Sequence, residues 1–162
     1  SDPTSYFKNV SLQYFVAKPF KMLTKHARFK ELCLENDNPE AHYIKGLLQY
    51  FVHKEKSKGL FHLRQSATLH NTNGMYLYGL LMLALGHYPK GKKYLDKLQW
   101  KEKLSTSDHC WERVKNSLSS IPEIMKDRSL LGKSQELIKF EVNLRKKKGI
   151  LKCHFMIRSK YG

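Results

Sequence analysis

Cysteine is scarce. The chain has three in 162 residues, Cys33, Cys110 and Cys153, far apart and odd in number, which excludes a disulfide framework and points to a reducing compartment, cytoplasm or nucleus. No Cys-x-x-Cys or His-x-x-x-His spacing accompanies His109-Cys110 or Cys153-His154. Structural zinc sites use such short loops, so no metal is expected at either pair. The nine glycines are scattered, and none stands in the strand-glycine-helix setting of a phosphate loop, so no nucleotide or other cofactor is expected. Long apolar runs are missing as well. Between Gln65 and Pro89 there is no charged residue, but the strongly apolar part runs only from Gly74 to Gly86, short of the roughly 20 residues a membrane span needs. No N-terminal segment joins a basic end to an apolar run and a cleavage site, so neither membrane insertion nor secretion is expected.

Acidic residues are few: 14 Asp and Glu against 30 Lys and Arg give a formal charge of +16. Residues 141–162 hold seven of the basic side chains and one acid, Glu141, so most of the excess belongs to the rest of the chain. Such a balance favours acidic protein surfaces or, without sequence preference, nucleic acid.

What the chain does have is an internal repeat. Ala41-His42-Tyr43-Ile44-Lys45-Gly46-Leu47-Leu48 returns as Gly74-Met75-Tyr76-Leu77-Tyr78-Gly79-Leu80-Leu81, an offset of 33 residues. Lys58-Gly59 with Leu63 returns as Lys90-Gly91 with Leu95, an offset of 32. A period of this size belongs to stacked helical hairpins. The expected fold is all-α, a short α-solenoid of stacked antiparallel helical hairpins.

Asn38 followed by Pro39 fits a cap and a first helical position. Beyond them Ile44, Leu47, Leu48 and Phe51 recur at i, i+3, i+4 and i+7, with Lys45 and Gln49 pointing away. Gly46 inside this helix costs about 0.5–1 kcal/mol relative to alanine, which makes sense if another helix crosses there, and Gly79 is its counterpart. Leu60, Leu63 and Ala67 mark the inner side of the returning helix. Asn71-Thr72-Asn73-Gly74 breaks the chain again, and Met75 to Leu85 is apolar nearly all round. Tyr94, Leu95 and Leu98 repeat the returning pattern, with Lys92, Lys93 and Lys97 on the wet side and Trp100 closing the unit. Ser105-Thr106-Ser107-Asp108 reads as the cap of a last helix, whose Trp111, Val114 and Leu118 cover the open end of the stack.

The ends read less clearly. Residues 1–5 look like a tail, residues 6–16 form either a short helix or a single strand, and one helix of three to four turns is expected from Phe20 to Leu34. The organisation is then an N-terminal segment over 1–19, a helical repeat domain over 20–121 and a basic, partly disordered C-terminal tail over 122–162. Arg145-Lys146-Lys147-Lys148 in that tail has the composition of a nuclear-localisation or phosphate-contacting patch, and equally of a solvated run.

Catalytic constellations are weak. Cys110 adjoins His109, but neighbours on a helix point about 100° apart and do not form a nucleophile and base. His42, His53, His62, His70 and His87 read as solvated. The aromatic series Tyr43, Tyr50, Phe51, Phe61, Tyr76, Tyr78 and Tyr94, with lysines between, has the make-up of a single-strand nucleic-acid platform, but its helical period favours packing. Tyr50, Tyr78 and Tyr88 are the aromatics expected on a concave surface. The candidate partner contacts are Lys45, Gln49, Tyr50, Tyr78 and Lys92.

Ala41-x-Tyr43-x-x-Gly46, then Gly59 to Ala67, then Gly74-x-Tyr76-x-x-Gly79 resembles the Sel-like repeat, a relative of the tetratricopeptide repeat. Over residues 9–118, Asn9-Val10-Ser11-Leu12-x-x-Phe15, Asn38-Pro39-Glu40-Ala41-x-Tyr43-x-x-Gly46, Gly74-Met75-Tyr76-Leu77-Tyr78-Gly79 and Cys110-Trp111-x-x-Val114-Lys115 resemble the helical region of plant F-box-type proteins. The resemblance implies the substrate-adaptor side of a cullin ubiquitin ligase. The Leu-Pro start of an F-box is absent, so docking on the Skp adaptor is not expected of these residues. The reading is a non-enzymatic module that binds a protein partner, with a basic helical nucleic-acid-binding protein as the alternative.

Overall fold

Asn38 and Pro39 begin the first long helix as their chemistry requires. The Asn38 side-chain oxygen accepts the N–H groups of Glu40 and Ala41 at 3.0 and 3.1 Å, and Pro39 takes the first position, where a missing N–H leaves nothing unpaired. The structure, a computed structural model, describes residues 2–24, 26–98 and 104–121, and all the regular elements among them are α-helices. They are α1 (Pro3–Asn9), α2 (Gln13–Ala17), α3 (Lys21–Thr24), α4 (Ala27–Glu35), α5 (Pro39–Phe51), α6 (Lys56–Thr68), α7 (Thr72–Ala84), α8 (Tyr88–Asp96) and α9 (Leu104–Ser119).

The repeat is two antiparallel hairpins, α5 with α6 and α7 with α8, stacked through α6 against α7. Glycine sets how closely they pack. A Cβ on Gly46 would lie 2.7 Å from Leu63 Cγ and 2.9 Å from the Gly59 carbonyl, and one on Gly59 would lie 2.7 Å from Tyr50 Cβ. In the second hairpin the same lock joins Gly79 to Leu95 and Gly91 to the Gly79 carbonyl. The expectation of a helix crossing at Gly46 and Gly79 therefore holds.

Three of the reversals between helices share one design. Asp37, His70 and Gly86 have φ of 53°, 65° and 85°, and in each case the next N–H donates to the carbonyl five residues back: Asn38 to Cys33, Asn71 to Ser66, His87 to Met82. This left-handed termination satisfies carbonyls that the ending helix leaves open. After Asp37 and His70 the very next residue, Asn38 or Asn71, caps the following helix. Asn71 accepts from Gly74 N–H at 2.8 Å, so α7 starts at Thr72 rather than at Met75.

The N-terminal part differs from expectation. Residues 1–5 are not simply a tail, because Asp2 accepts the Thr4 N–H at 3.2 Å and α1 starts at Pro3. Residues 6–16 contribute to two short helices and no strand. These helices are too short to stand alone, and the long helix α5 supplies what they lack. Asn38 Nδ2 donates to the Phe7 and Val10 carbonyls, 2.9 Å each, and the Glu40 carboxylate accepts Leu12 N–H at 2.6 Å and Gln13 Nε2 at 3.0 Å. The single helix expected after Pro19 is two, α3 and α4. The break turns α4 onto α1, where Phe29 meets Phe7 and Phe15 with ring centroids 6.1 and 6.4 Å apart.

Helix α9 begins at Leu104, so residues 105–108 lie inside it rather than ahead of it. Trp111, Val114 and Leu118 are buried as expected, but the face they cover is different: α9 packs on α7 and on α2, and α2 packs on α5. The Ser117 hydroxyl donates to the Val16 carbonyl at 2.6 Å and accepts from the Tyr43 hydroxyl at 3.2 Å. Helices α5 and α7 are thus enclosed between the α6/α8 pair and the α2/α9 pair. That is why nine of thirteen residues of α5 and eleven of thirteen of α7 are buried. Trp100 and residues 122–162, including Arg145, Lys146, Lys147 and Lys148, lie outside the described residues.

Candidate interaction surface

A stack of hairpins offers two broad faces, one from the first helix of each hairpin and one from the second. The inner face, made by α5 and α7, is occupied by α2 and α9. Tyr50 and Tyr78, expected on an open concave surface, are buried instead, 7% and 4% exposed. Tyr50 lies at the glycine crossing against Gly59, edge-on to Phe51 at 4.9 Å. Tyr78 stands edge-on to Tyr94 at 4.9 Å. Burial raises the hydroxyl pKa of both. Helical period had put them on a stripe, and the stripe is the interior of each hairpin. The remaining candidates are divided between the hairpins. Lys45 and Gln49 are half-buried on α5, Gln49 with its Oε1 buried and without a hydrogen-bond partner. Lys92, on α8, pairs with Asp96 at 3.2 Å. Tyr88 is half-buried.

The outer face, made by α6 and α8, is open and basic. Lys56, Lys58, Arg64, Lys90, Lys93 and Lys97 are exposed along it, and Phe61 presents an aromatic ring among them at 54% exposure. Leu85, at the turn into α8, adds a second apolar contact at 43%. Lys97 lies over the Tyr94 ring, 5.0 Å from its centroid. Burial works to raise Tyr94, but hydrogen bonds to Thr68 and Arg64 and the nearby cations hold its hydroxyl below the usual range. The periodicity of α6 carried this signal: Lys58, Phe61 and Arg64 recur at three-residue spacing opposite Gly59, Leu63 and Ala67.

Reactive chemistry is muted. Cys110 is buried and its thiol is pushed up by burial, against a hydrogen bond with Thr72 and the charge of Arg113. Burial pushes Cys33 up to about 11. The thiolate is the nucleophilic form, so both environments disfavour covalent chemistry. Two of the histidines read as solvated are not. His42 is buried within the first hairpin, with Nδ1 3.0 Å from Nδ1 of half-buried His62. A cleft of about 250 Å³ lies among Lys8, Asn38, Glu40, His70 and Asn71, where Asn38, Asn71 and Glu40 are already engaged with helix ends. Among the described residues, no helix is long and apolar enough to cross a membrane.

Paired helices of this length, crossing at glycines and repeating at about 33 residues, are the geometry of tetratricopeptide-type arrays. The family of plant tetratrico peptide repeats matches residues 12–121, a span that takes in both hairpins, α9 and the helices before them. The chain belongs to this family. The chain is also similar to an F-box protein of Arabidopsis thaliana, 36% identical over 93 residues, which are 57% of this chain and 56% of that protein. A putative F-box protein of the same plant is 37% identical over 68 residues, 42% of this chain and 23% of that protein. The matches thus span about half and about a quarter of these relatives. No solved structure matches the chain.

Proposed function

We propose that the chain is a non-catalytic protein-interaction module that receives an acidic partner on the outer face of α6 and α8, as the substrate-side part of an F-box-type adaptor. One observation carries the reading: the repeat array's inner face is filled by α2 and α9, while its outer face keeps a row of unburied cations around Phe61. Such a surface suits an acidic segment with an apolar anchor, since rim charges steer association and a central aromatic supplies much of the binding energy. Lys92 borders this face, and Lys45 reaches its edge beside Glu55. The adaptor context is supported by the two Arabidopsis relatives, whose names carry the F-box.

The test places a photo-crosslinking residue at Phe61 or, as a control on another face, at Tyr14, and captures partners from plant extract. Crosslinks to an acidic protein from position 61, lost when Lys58 and Arg64 are changed to Glu, are expected. Equal capture at both positions would count against the face. Filter binding to generic DNA and RNA at two salt concentrations examines the alternative basic nucleic-acid-binding function, because phosphate contacts give affinity that falls steeply with salt.

A further inference from the structure

The outer face is not uniformly basic: at its middle, two cations from different helices close on one ring. Tyr94 of α8 is buried and stands edge-on to Tyr78 of α7 at 4.9 Å, so packing holds it in place. The Arg64 guanidinium, from α6, is hydrogen-bonded to the Tyr94 hydroxyl, and Lys97 Nζ, at the end of α8, lies 5.0 Å from the ring centroid. Both cations are exposed, and theirs are the charges that bear on Tyr94 together with that of its hydrogen-bonded neighbours. The nearest acids along these helices are engaged with other lysines, Asp96 with Lys92 and Glu55 with Lys58. Thr68, one turn beyond Arg64, bonds to the same Tyr94 hydroxyl. Tyr94 and Thr68 share one hydrogen bond, so one of their two hydroxyl protons remains to be donated. Arg64 uses only part of its five-donor fork on Tyr94, and the Lys97 ammonium carries three N–H donors.

We propose that Arg64, Thr68, Tyr94 and Lys97 form a binding site for the phosphate of a phosphorylated side chain on the protein partner. The proposal rests on the reading of α6 and α8 as the face for an acidic partner, and it names the acidic group. A carboxylate brings one charge and two oxygens, fewer than this set can use. A phosphomonoester brings a charge of about −1.5 to −2 and three acceptor oxygens, and a guanidinium fork matches phosphate oxygens two at a time. The position of the site on α6 also restricts the partner. Phe61, Arg64 and Thr68 follow one another at i, i+3 and i+7, so at about 1.5 Å of rise per residue the apolar anchor and the phosphate site are roughly 5–10 Å apart along the helix. An extended segment covers about 3.3 Å per residue, which puts the partner's phosphate about two or three residues from its apolar anchor.

The experiment follows, by fluorescence anisotropy, the binding of the full chain to labelled glycine-serine peptides that carry one leucine and, a few residues on, a phosphoserine, a glutamate or a plain serine. The phosphoserine peptide should bind about tenfold or more tightly than the glutamate peptide, as one to three further charge-assisted hydrogen bonds would give. Arg64→Lys, which keeps the charge and loses the fork, and Lys97→Gln should each remove most of that difference, and Thr68→Val part of it. Lys18→Gln, beside Tyr14 on another face, should leave it unchanged. Equal affinity for the phosphoserine and glutamate peptides, with both weakened by Phe61→Ala, would overturn the phosphate site and leave the acidic-partner face standing. Binding that neither Phe61→Ala nor Arg64→Lys alters would overturn site and face together. No binding of the phosphoserine peptide rejects the site, and so does tighter binding of a single-stranded oligonucleotide that alone responds to Arg64→Lys.

Discussion

Two glycines show how the same substitution can fail for unrelated reasons. At Gly46 an added methyl would meet Leu63 Cγ at 2.7 Å and, less forgivingly, the Leu63 backbone nitrogen at 2.8 Å. Gly46→Ala should therefore destabilise the fold by about 1–3 kcal/mol through overpacking. At Gly86 nothing lies within 4 Å of such a methyl, but φ is +85°. Gly86→Ala should cost about 1–2 kcal/mol through backbone strain alone, with Gly86→Asn recovering part of it. Urea midpoints read both, and an unchanged midpoint for Gly46→Ala would show that the hairpin parts freely at that crossing. The roles of Gly46 and Gly79 were legible in the sequence, because a repeated glycine inside a helical period has few other uses. The burial of Tyr50 and Tyr78 was not. A period shows which residues share a stripe, but it does not tell which of two neighbouring helices covers that stripe. His42 and His62 carried a faint signal: one stands a turn before Gly46 and the other about a turn after Gly59, and an antiparallel hairpin crossing at those glycines brings them level.

For the helices, the deciding residues are two asparagines that look alike in sequence and differ in duty. Asn71 caps α7 and its side-chain oxygen does one job, so Asn71→Ala should cost about 0.5–2 kcal/mol. Asn38 caps α5 and also holds the Phe7 and Val10 carbonyls through Nδ2. Asn38→Ala should cost about 2–4 kcal/mol, because the lost cap is joined by carbonyls left unpaired in a partly buried site. Asn38→Asp separates the two: it keeps the acceptor, loses the donor, and should fall between. A thermal or urea unfolding series checks the order, and equal costs at Asn38 and Asn71 would mean that α1 and α2 do not depend on α5. This dependence explains why the first 35 residues were hard to read. The four short helices there are stabilised by groups such as Glu40 that lie far along the chain, and local periodicity cannot register them. The helices α5 to α8 were readable because each carries its own inner stripe, and α5 and α7 carry their own asparagine caps as well.

At the scale of the whole molecule, the contact that matters most joins residues 101 positions apart, Ser117 and Val16. Tyr43 shares in it, so the three residues tie α9, α2 and α5 together. Ser117→Ala leaves the Val16 carbonyl and the Tyr43 hydroxyl without this partner and should cost about 2 kcal/mol or more, whereas Tyr43→Phe should cost about 0.5–1.5 kcal/mol. In a double-mutant cycle the second change should be nearly silent once the first is made. Full additivity would show that the three groups do not act as one. The apolar face of α9 was legible in Trp111, Val114 and Leu118, but it read as covering the end of a stack. Its return to α2 depends on a serine and a tyrosine that carry no pattern of their own.

That return also bears on how the protein comes apart and comes together. In an open array of repeats each unit touches only its neighbours, and the outermost ones fray first. Here α2, near the start of the chain, and α9, the last described helix, are clamped to each other, so amide exchange in α2 and α9 should be slowed along with that of α7 rather than grading off toward the ends. Folding carries the opposite burden: the hairpins can form from local contacts, but the clamp requires a loop of a hundred residues to close. During synthesis it must wait until Ser117 has left the ribosome, and until then the face of α7 that α9 covers remains bare.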